Sequence, residues 1–396
     1  MKKHKKRMRK DGKIILAFVV IACIGITTVF VMQKYRKDRV ETAVEETASS
    51  TAEATGEPVT TSASLFMVGD GLLHTTIDYD AMQADGSFDF SKQLHRIWDI
   101  AEPYDLQYYN QETILGGDDL GIHGYPAFNG PQAFGQQMVQ HGFNLVSLAN
   151  NHALDMGVTG ITNSVNFWNS QPGVVTSGTY LSQADYDAIP VYEVNGITYS
   201  FISYTYGMNG LQPPEGQEYL VACYDGKTDE LIARIADARS RADVVIVAIH
   251  WGVEYQYEPS EEQKELAQKM ADAGADIIIG NHPHVIEPIQ RLNDHTICFY
   301  ALGNLCAAQY TDSRIEMMAA LTINKTTNPN GNVKISIDDV RADLMWEYYN
   351  DVTKKDFETV PFSQMTDDTY LPNHQAWYDK YVGYITEMDP EVKVGL

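Results

Sequence analysis

Residues 277–288 read IIIGNHPHVIEP. Three isoleucines in a row fit a strand buried on both faces, as in a sheet covered by helices. Such a strand ordinarily ends in a turn. This one runs at once into Gly-Asn-His-Pro-His, two imidazoles held one residue apart by a stiffening proline. The isoleucine run speaks for the fold class, and the residues after it say where chemistry is expected.

Outward from that run the same texture repeats. SLFMV (64–68), NLVSLA (144–149), ITYSFISY (197–204), ADVVIVAIH (242–250), ADIIIG (275–280) and TICFYAL (296–302) are short, strongly apolar strand candidates. Helical patterns lie between several of them. The clearest, SEEQKELAQKMADAG (260–274), opens with a serine cap and an acidic first turn and stops at Gly274. Residues 317–340 read as two strands joined by an Asn/Pro/Gly turn. Strands separated by helices predict an α/β fold with late antiparallel additions. No internal repeat is present, and the Trp- and Tyr-rich tail from Leu344 carries no motif.

The first forty residues are a separate object. Eight Lys/Arg in residues 1–13 precede an uncharged run of twenty residues, Ile14–Gln33, long enough to span a bilayer as a helix. No small-x-small cleavage site follows, so a membrane anchor is expected rather than a removable signal peptide. The heavier basic flank places the N-terminus in the cytoplasm and the rest outside the cell. Residues 34–64 lack aromatics beyond Tyr35 and any apolar period, and predict a disordered linker. A main domain is expected over 65–340 and an aromatic-rich extension of it over 341–396.

Beyond Arg39 the chain holds seventeen basic and fifty-one acidic residues, a formal charge of −34. Such a surface argues against nucleic-acid binding, and it repels a polyanionic substrate unless bound cations intervene. Cys223, Cys298 and Cys306 form no metal motif, and three cysteines make no disulfide framework; a single Cys298–Cys306 bridge is left open.

The residues just past each strand form the informative pattern. GDGLLH carries Asp70 and His74; NQE carries Asn110 and Glu112; NNHALDMG carries Asn150, Asn151, His152 and Asp155. HWGVEY carries His250 and Glu254, NHPH carries His282 and His284, and GNL carries Asn304. Each piece alone has an ordinary reading: Asp70 as a helix cap, Glu112 as a solvated carboxylate, Asn-Asn-His as a turn. Ligands of an open α/β sheet gather beyond the carboxyl ends of its strands, so the set is expected on one rim. Mixed His, Asn and carboxylate donors without cysteine suit Mn, Fe or Zn in a functional rather than a structural site.

The series GDGLLH, NQE, SLANNHALDMG, HWGVEY, GADIIIGNHPHV and YALGN resembles that of the bacterial capsule synthesis protein CapA family, tied to poly-gamma-glutamate capsules. It covers about Leu65 to Leu305. The family in turn resembles calcineurin-like metallophosphoesterases, which implies two packed mixed β-sheets flanked by helices, a four-layer sandwich. The resemblance implies two divalent metals. Asp70 and His284 would hold the first, His250 and His282 the second, Glu112 would bridge them, and Asn151 would be an amide ligand. His152 would be the catalytic histidine, oriented by Asp155, with His74, Asn110, Glu254 and Asn304 as further candidates. Three positions depart from the metallophosphoesterase pattern: Leu72 replaces the His of Asp-x-His, Glu112 replaces Asp, and Gln111 replaces Leu.

The resulting expectation is a membrane-anchored, extracellular capsule protein with a hydrolase-like site, working on an anionic polymer or phosphoester beside membrane polymer-synthesis proteins. Two alternatives stay open. One is a non-catalytic, metal- and polymer-binding subunit of an export complex; the other is an amide hydrolase using the same metals on polyglutamate.

Overall fold

A computed structural model describes residues 56–309 and 313–396. The basic segment, the expected membrane helix 14–33 and most of the expected linker lie outside the described residues. Among the described residues no helix is long and apolar enough to cross a membrane.

The chain starts one sheet, completes a second, and returns to the first. Strands β1 (Val59–Gly71), β2 (Leu106–Asn110), β3 (Leu145–Ser147) and β4 (Val175–Ser177) lie side by side and parallel. Then β5 (Tyr192–Val194), β6 (Ile197–Thr205), β7 (Val244–His250), β8 (Ile277–Asn281), β9 (Ile286–Arg291) and β10 (Ile297–Leu302) form a six-stranded sheet. Its order is β5-β6-β7-β8-β10-β9, with β6, β7, β8 and β10 parallel. Finally β11 (Asn304–Cys306), β12 (Ile315–Thr327), β13 (Val333–Asn350), β14 (Lys355–Pro361) and β15 (Lys393–Val394) rejoin the first sheet. That sheet runs β14-β13-β12-β1-β2-β3-β4, with β11 on β1 and β15 on β13. Both sheets are mixed, as the sequence predicts, and the antiparallel members of the first are its late additions.

Alternation along the strands builds three cores. Leu65 and Met67 of β1 meet Ile246 and Ala248 of β7 and Ile277 and Ile279 of β8 between the sheets. Phe66 and Val68 face outward onto Leu94, Ile97, Trp98, Phe134 and Met138 of the helices Ser91–Ala101 and Gln132–Gln140. On the other side Val245, Val247 and Ile278 face Leu231 and Ile235 of Thr228–Arg239 and Leu266 and Met270 of Glu261–Ala273. The Ile277–Ile279 run is therefore apolar throughout because both faces of β8 are covered. The helix before it is set by its ends. Ser260 accepts the Gln263 N–H at 3.2 Å, Gln263 Oε1 takes the Ser260 N–H at 2.9 Å, and Gly274 turns left-handed at φ 107°.

Two expectations are revised. Strand β1 begins at Val59, not at Ser64. Its first residues are exposed but pair in register with β12 from Val59↔Thr327 onward, so ladder hydrogen bonds rather than an apolar face order them. Residue 340, the expected end of the main domain, lies inside β13, and the helix His374–Thr386 sends Tyr381 and Ile385 into the inter-sheet core. Cys298 faces the helices of the second sheet and Cys306 those of the first, so the sandwich separates these two free thiols. Residues 56–58 group apart with 328–332, a tight turn in which the Asn328 N–H donates to the Asn332 carbonyl at 2.9 Å.

Candidate metal centre

The parallel strands of both sheets deliver their carboxyl ends to one place. In the first sheet Asp70 pairs in register with Asn110 on one side and Asn304 on the other. In the second His250 pairs with Asn281, one residue before His282. Backbone bonds pull the adjoining loops inward: the Gln111 N–H donates to the Ser147 carbonyl at 2.9 Å, and Thr113 N–H to Gly71 at 3.1 Å. Asn150 ties them together, its Nδ2 donating to the Gln111 carbonyl at 2.9 Å and its Oδ1 accepting the His152 N–H at 3.1 Å.

The Gly-Asn-His-Pro-His turn adopts a conformation that side chains rarely accept. His282 has φ 100° and His284 φ 55°. The His282 N–H donates to Asp70 Oδ2 at 3.0 Å, so the carboxylate of one sheet clamps the strained turn of the other. The result brings Glu112, His282 and His284 together, each buried, with one donor atom apiece within 4.8 Å of the others. Both oxygens of Glu112 and Nδ1 of His282 have no hydrogen-bond partner. His284 Nε2 stands 3.8 Å and His250 Nε2 3.6 Å from Glu112 Oε1. Among the described residues the ion-pair distances of Asp70 and Glu112 are to histidines alone.

Burial dominates the electrostatics. It raises the Asp70 carboxyl to about 7, against the opposing hydrogen bond from Asn110 Nδ2 at 2.7 Å. It raises Glu112 well above the carboxylate range, with Asp70, Glu254 and Asp155 adding to it. It lowers His282 to about 4, and lowers His250 and His284 well below the usual imidazole range. Buried acceptors without partners, facing neutral imidazoles, form the donor set that a divalent cation satisfies.

Beside this cluster His152 Nδ1 lies 2.7 Å from Asp155 Oδ2, which also accepts the Phe128 N–H at 2.7 Å. Phe128 stands edge-on to His152, ring centres 4.7 Å apart, and to His74 at 5.3 Å.

A family model for the bacterial capsule synthesis protein PGA_cap matches residues 64–309. The chain belongs to that family. It is 34% identical over 200 residues to the PGA biosynthesis protein CapA of Bacillus subtilis (strain 168), covering 50% of this chain and 51% of that protein. It is also 34% identical over 169 residues to the capsule biosynthesis protein CapA of Bacillus anthracis, covering 41% and 40%. The chain spans about half the length of the curated relatives it matches. Among solved structures, the Thermus thermophilus sulfate thiohydrolase SoxB aligns with 69% of this chain and 56% of its own at 11% identity and a TM-score of 0.35, too loose to transfer any residue role.

Within this PGA_cap-family site, the residues expected as ligands fall into two groups. Glu112, His282 and His284 converge. His250 joins them through Glu112 and through Asn151, whose Oδ1 lies 3.1 Å from His250 Nε2. Asp70 is adjacent, 3.7 Å from His284 Nδ1, but its oxygens are already taken by Asn110 and the His282 N–H. Asn304 sits behind His284, accepting from Nδ1 at 2.9 Å. His74 lies across the Phe128 ring and takes the Ala308 N–H at 3.2 Å; burial lowers it to about 4. Glu254 is exposed and reaches Glu112 through its field alone.

Three aromatic neighbours escaped the sequence reading. The Tyr206 ring lies 4.8 Å from His282. The half-exposed Tyr255, at φ 64°, donates its N–H to the Pro283 carbonyl at 2.7 Å and holds its ring 6.2 Å from His284. Phe128 is the third. Tyr206 directly follows β6 and Tyr255 closes the HWGVEY segment after β7, so the strand-end rule could have found both; no comparable signal marks Phe128.

Proposed function

We propose that this PGA_cap-family protein is a metal-dependent hydrolase of phosphoesterase type. It is anchored in the membrane by residues 14–33 and acts outside the cell on an anionic group of a capsule polymer or its precursor. The convergence of buried Glu112, His282 and His284, with both Glu112 oxygens and His282 Nδ1 unpartnered, is the observation that carries this reading. Those three would hold a divalent Mn, Fe or Zn ion, and Asn151 and His250 with the shared Glu112 would hold a second. When bound, such ions supply positive charge and Lewis acidity, which also lets an anionic group approach an acidic protein.

The remaining chemistry belongs to the chain. Asp155 Oδ2 takes the hydrogen at His152 Nδ1, so the proton that His152 gives to a leaving group is carried at Nε2. The Phe128 N–H on the same oxygen fixes that carboxylate, and the Phe128 ring shields the His152 imidazole from water on one face.

One observation favours a second reading. Asp70 stands outside the three-residue cluster with its oxygens engaged, an arrangement suited to one ion rather than two. A single ion without turnover fits a polymer-binding subunit of a synthesis complex.

Elemental mass spectrometry of the full chain beside its His282→Ala variant separates these readings. Close to two transition-metal equivalents, falling in the variant, support the hydrolase and direct phosphoester and polyglutamate cleavage assays. One equivalent without turnover selects the binding subunit. No metal after reconstitution with Mn or Zn removes both metal readings.

A further inference from the structure

The bond network behind His284 continues past the segment matched by the family model. Asn304 accepts from His284 Nδ1 through Oδ1 at 2.9 Å. Its Nδ2 faces three acceptors: Glu316 Oε1 at 2.9 Å, Gln309 Oε1 at 3.2 Å and the His284 carbonyl at 3.5 Å. An amide oxygen at that position would oppose three oxygens, so the amide orientation is determined. Gln309 could turn its own amide to suit either orientation. Burial raises Glu316 well above the usual carboxylate range, but with a proton on the unpartnered Oε2 its Oε1 still only accepts, and it lies closest.

Glu316, on β12, is fully buried, and its second oxygen has no hydrogen-bond partner. Glu347 on the neighbouring β13 is 3% exposed and likewise keeps one oxygen unpartnered, the other accepting the Ala307 N–H. Two adjacent buried carboxylates are a costly feature for a fold to carry. Gly303 is shaped around the first: a Cβ there would lie 1.7 Å from Glu316 Oε2, and its φ is 75°. The Gly303 carbonyl accepts the Asp70 N–H at 2.9 Å. Gly303 thus lets the carboxylate close under the site while holding the strand that bears Asp70.

We propose that Glu316 is a positioning residue that fixes the tautomer of His284 through Asn304. With Asn304 Oδ1 turned toward the ring, the neutral imidazole must carry its hydrogen at Nδ1. Its Nε2 lone pair is then left facing Glu112 Oε1, 3.8 Å away. A lone pair opposite a carboxylate oxygen is the arrangement a cation joins, and the other tautomer would offer that cation no lone pair at Nε2. Without Glu316, Asn304 is free to turn, and the hydrogen moves to Nε2. The metal consequence rests on the proposed function; the tautomer itself does not.

Two readouts on the full chain test this. Nitrogen-15 histidine spectra of the metal-free protein, with His284 assigned by a His284→Gln variant, report the tautomer directly. Titration with Zn²⁺ alone reports affinity. Glu316→Met, similar in size without an acceptor, is expected to populate the Nε2–H form and to lower Zn²⁺ affinity about 10- to 100-fold. Glu316→Gln, which can still accept from Asn304, is expected to keep the Nδ1–H form and an affinity within about threefold. Should Glu316→Met not fold, Asn304→Leu removes the same connection at its middle and must give the same changes. An unchanged Nδ1–H tautomer in whichever variant folds overturns the proposal. A shifted tautomer in a protein whose parent binds no Zn²⁺ upholds the positioning role and sinks the metal reading instead.

Discussion

Glu112 of the first sheet and His284 of the second meet at 3.8 Å, Oε1 to Nε2, where the carboxyl ends of the two sheets converge. Neither is exposed, and neither Glu112 oxygen has a hydrogen-bond partner. A contact of this kind costs stability unless something else occupies it, which makes it the natural point at which to probe the protein.

Glu112→Gln keeps the shape and removes the charge. The metal-free variant is expected to melt at the parent's temperature or above, because a buried carboxyl crowded by Asp70, Glu254 and Asp155 is relieved. The rise in melting temperature produced by Mn or Zn should vanish. Scanning calorimetry with and without metal checks both, and a markedly lower metal-free melting point would contradict the assignment.

His152→Ala should separate chemistry from binding. Loss of a leaving-group acid typically lowers turnover by about 10²–10⁴-fold, and metal content should be nearly unchanged because His152 bonds Asp155 rather than Glu112. Equal loss of both quantities would make His152 a ligand.

The pH dependence comes from burial. Asp70 is raised from 3.8 to about 7, so its contribution to metal-free stability is full below about pH 4 and is lost as pH rises through 7. His282 is lowered to about 4; its contribution is present above 6.5 and is lost as pH falls toward 4. Metal binding requires Glu112 ionised and the imidazoles neutral. The stabilisation by metal should therefore grow as pH rises, because burial holds the Glu112 proton well above the usual carboxylate range. Calorimetric melting at a series of pH values, with the metal-free protein as reference, measures it; a flat difference would exclude Glu112 as a ligand.

Gly280→Ala tests how the histidine turn is seated. A Cβ at Gly280 would lie 1.8 Å from the Tyr300 carbonyl oxygen and 2.6 Å from Trp251 Nε1. Backbone on the facing strand cannot yield cheaply, so a loss of about 3 kcal/mol or more in urea unfolding is expected, with reduced metal content. A neutral substitution would mean that β8 and β10 separate more readily than their pairing implies.

Much of the fold is legible along the chain because each signal is local. Ser260 and Gly274 bound their helix by bonds within a few residues, and the strands that carry the site are runs whose two faces are both covered. Residues 59–64 were not legible. Most of them are exposed and only Ala63 reaches the core, so the ladder with a strand more than 250 residues away orders them. The motif residues at strand ends were legible for the same local reason. Phe128 and Glu316 were not: each acts on a histidine that sequence spacing leaves far away.

By itself the sequence determined the alternation of buried strands and capped helices, the placing of Asp, Asn and His at strand ends, and the capsule-family resemblance. Periodicity and capping act over a few residues, and a linear reading sees them. Only the tertiary structure decided which donors share one centre, that Asp70 clamps the turn instead of joining the three-residue cluster, and that the strands beyond the matched family segment reach under His284. Those outcomes depend on how two separately built sheets face each other. Side-chain packing across that interface, not any local propensity, fixes distances of a few ångströms.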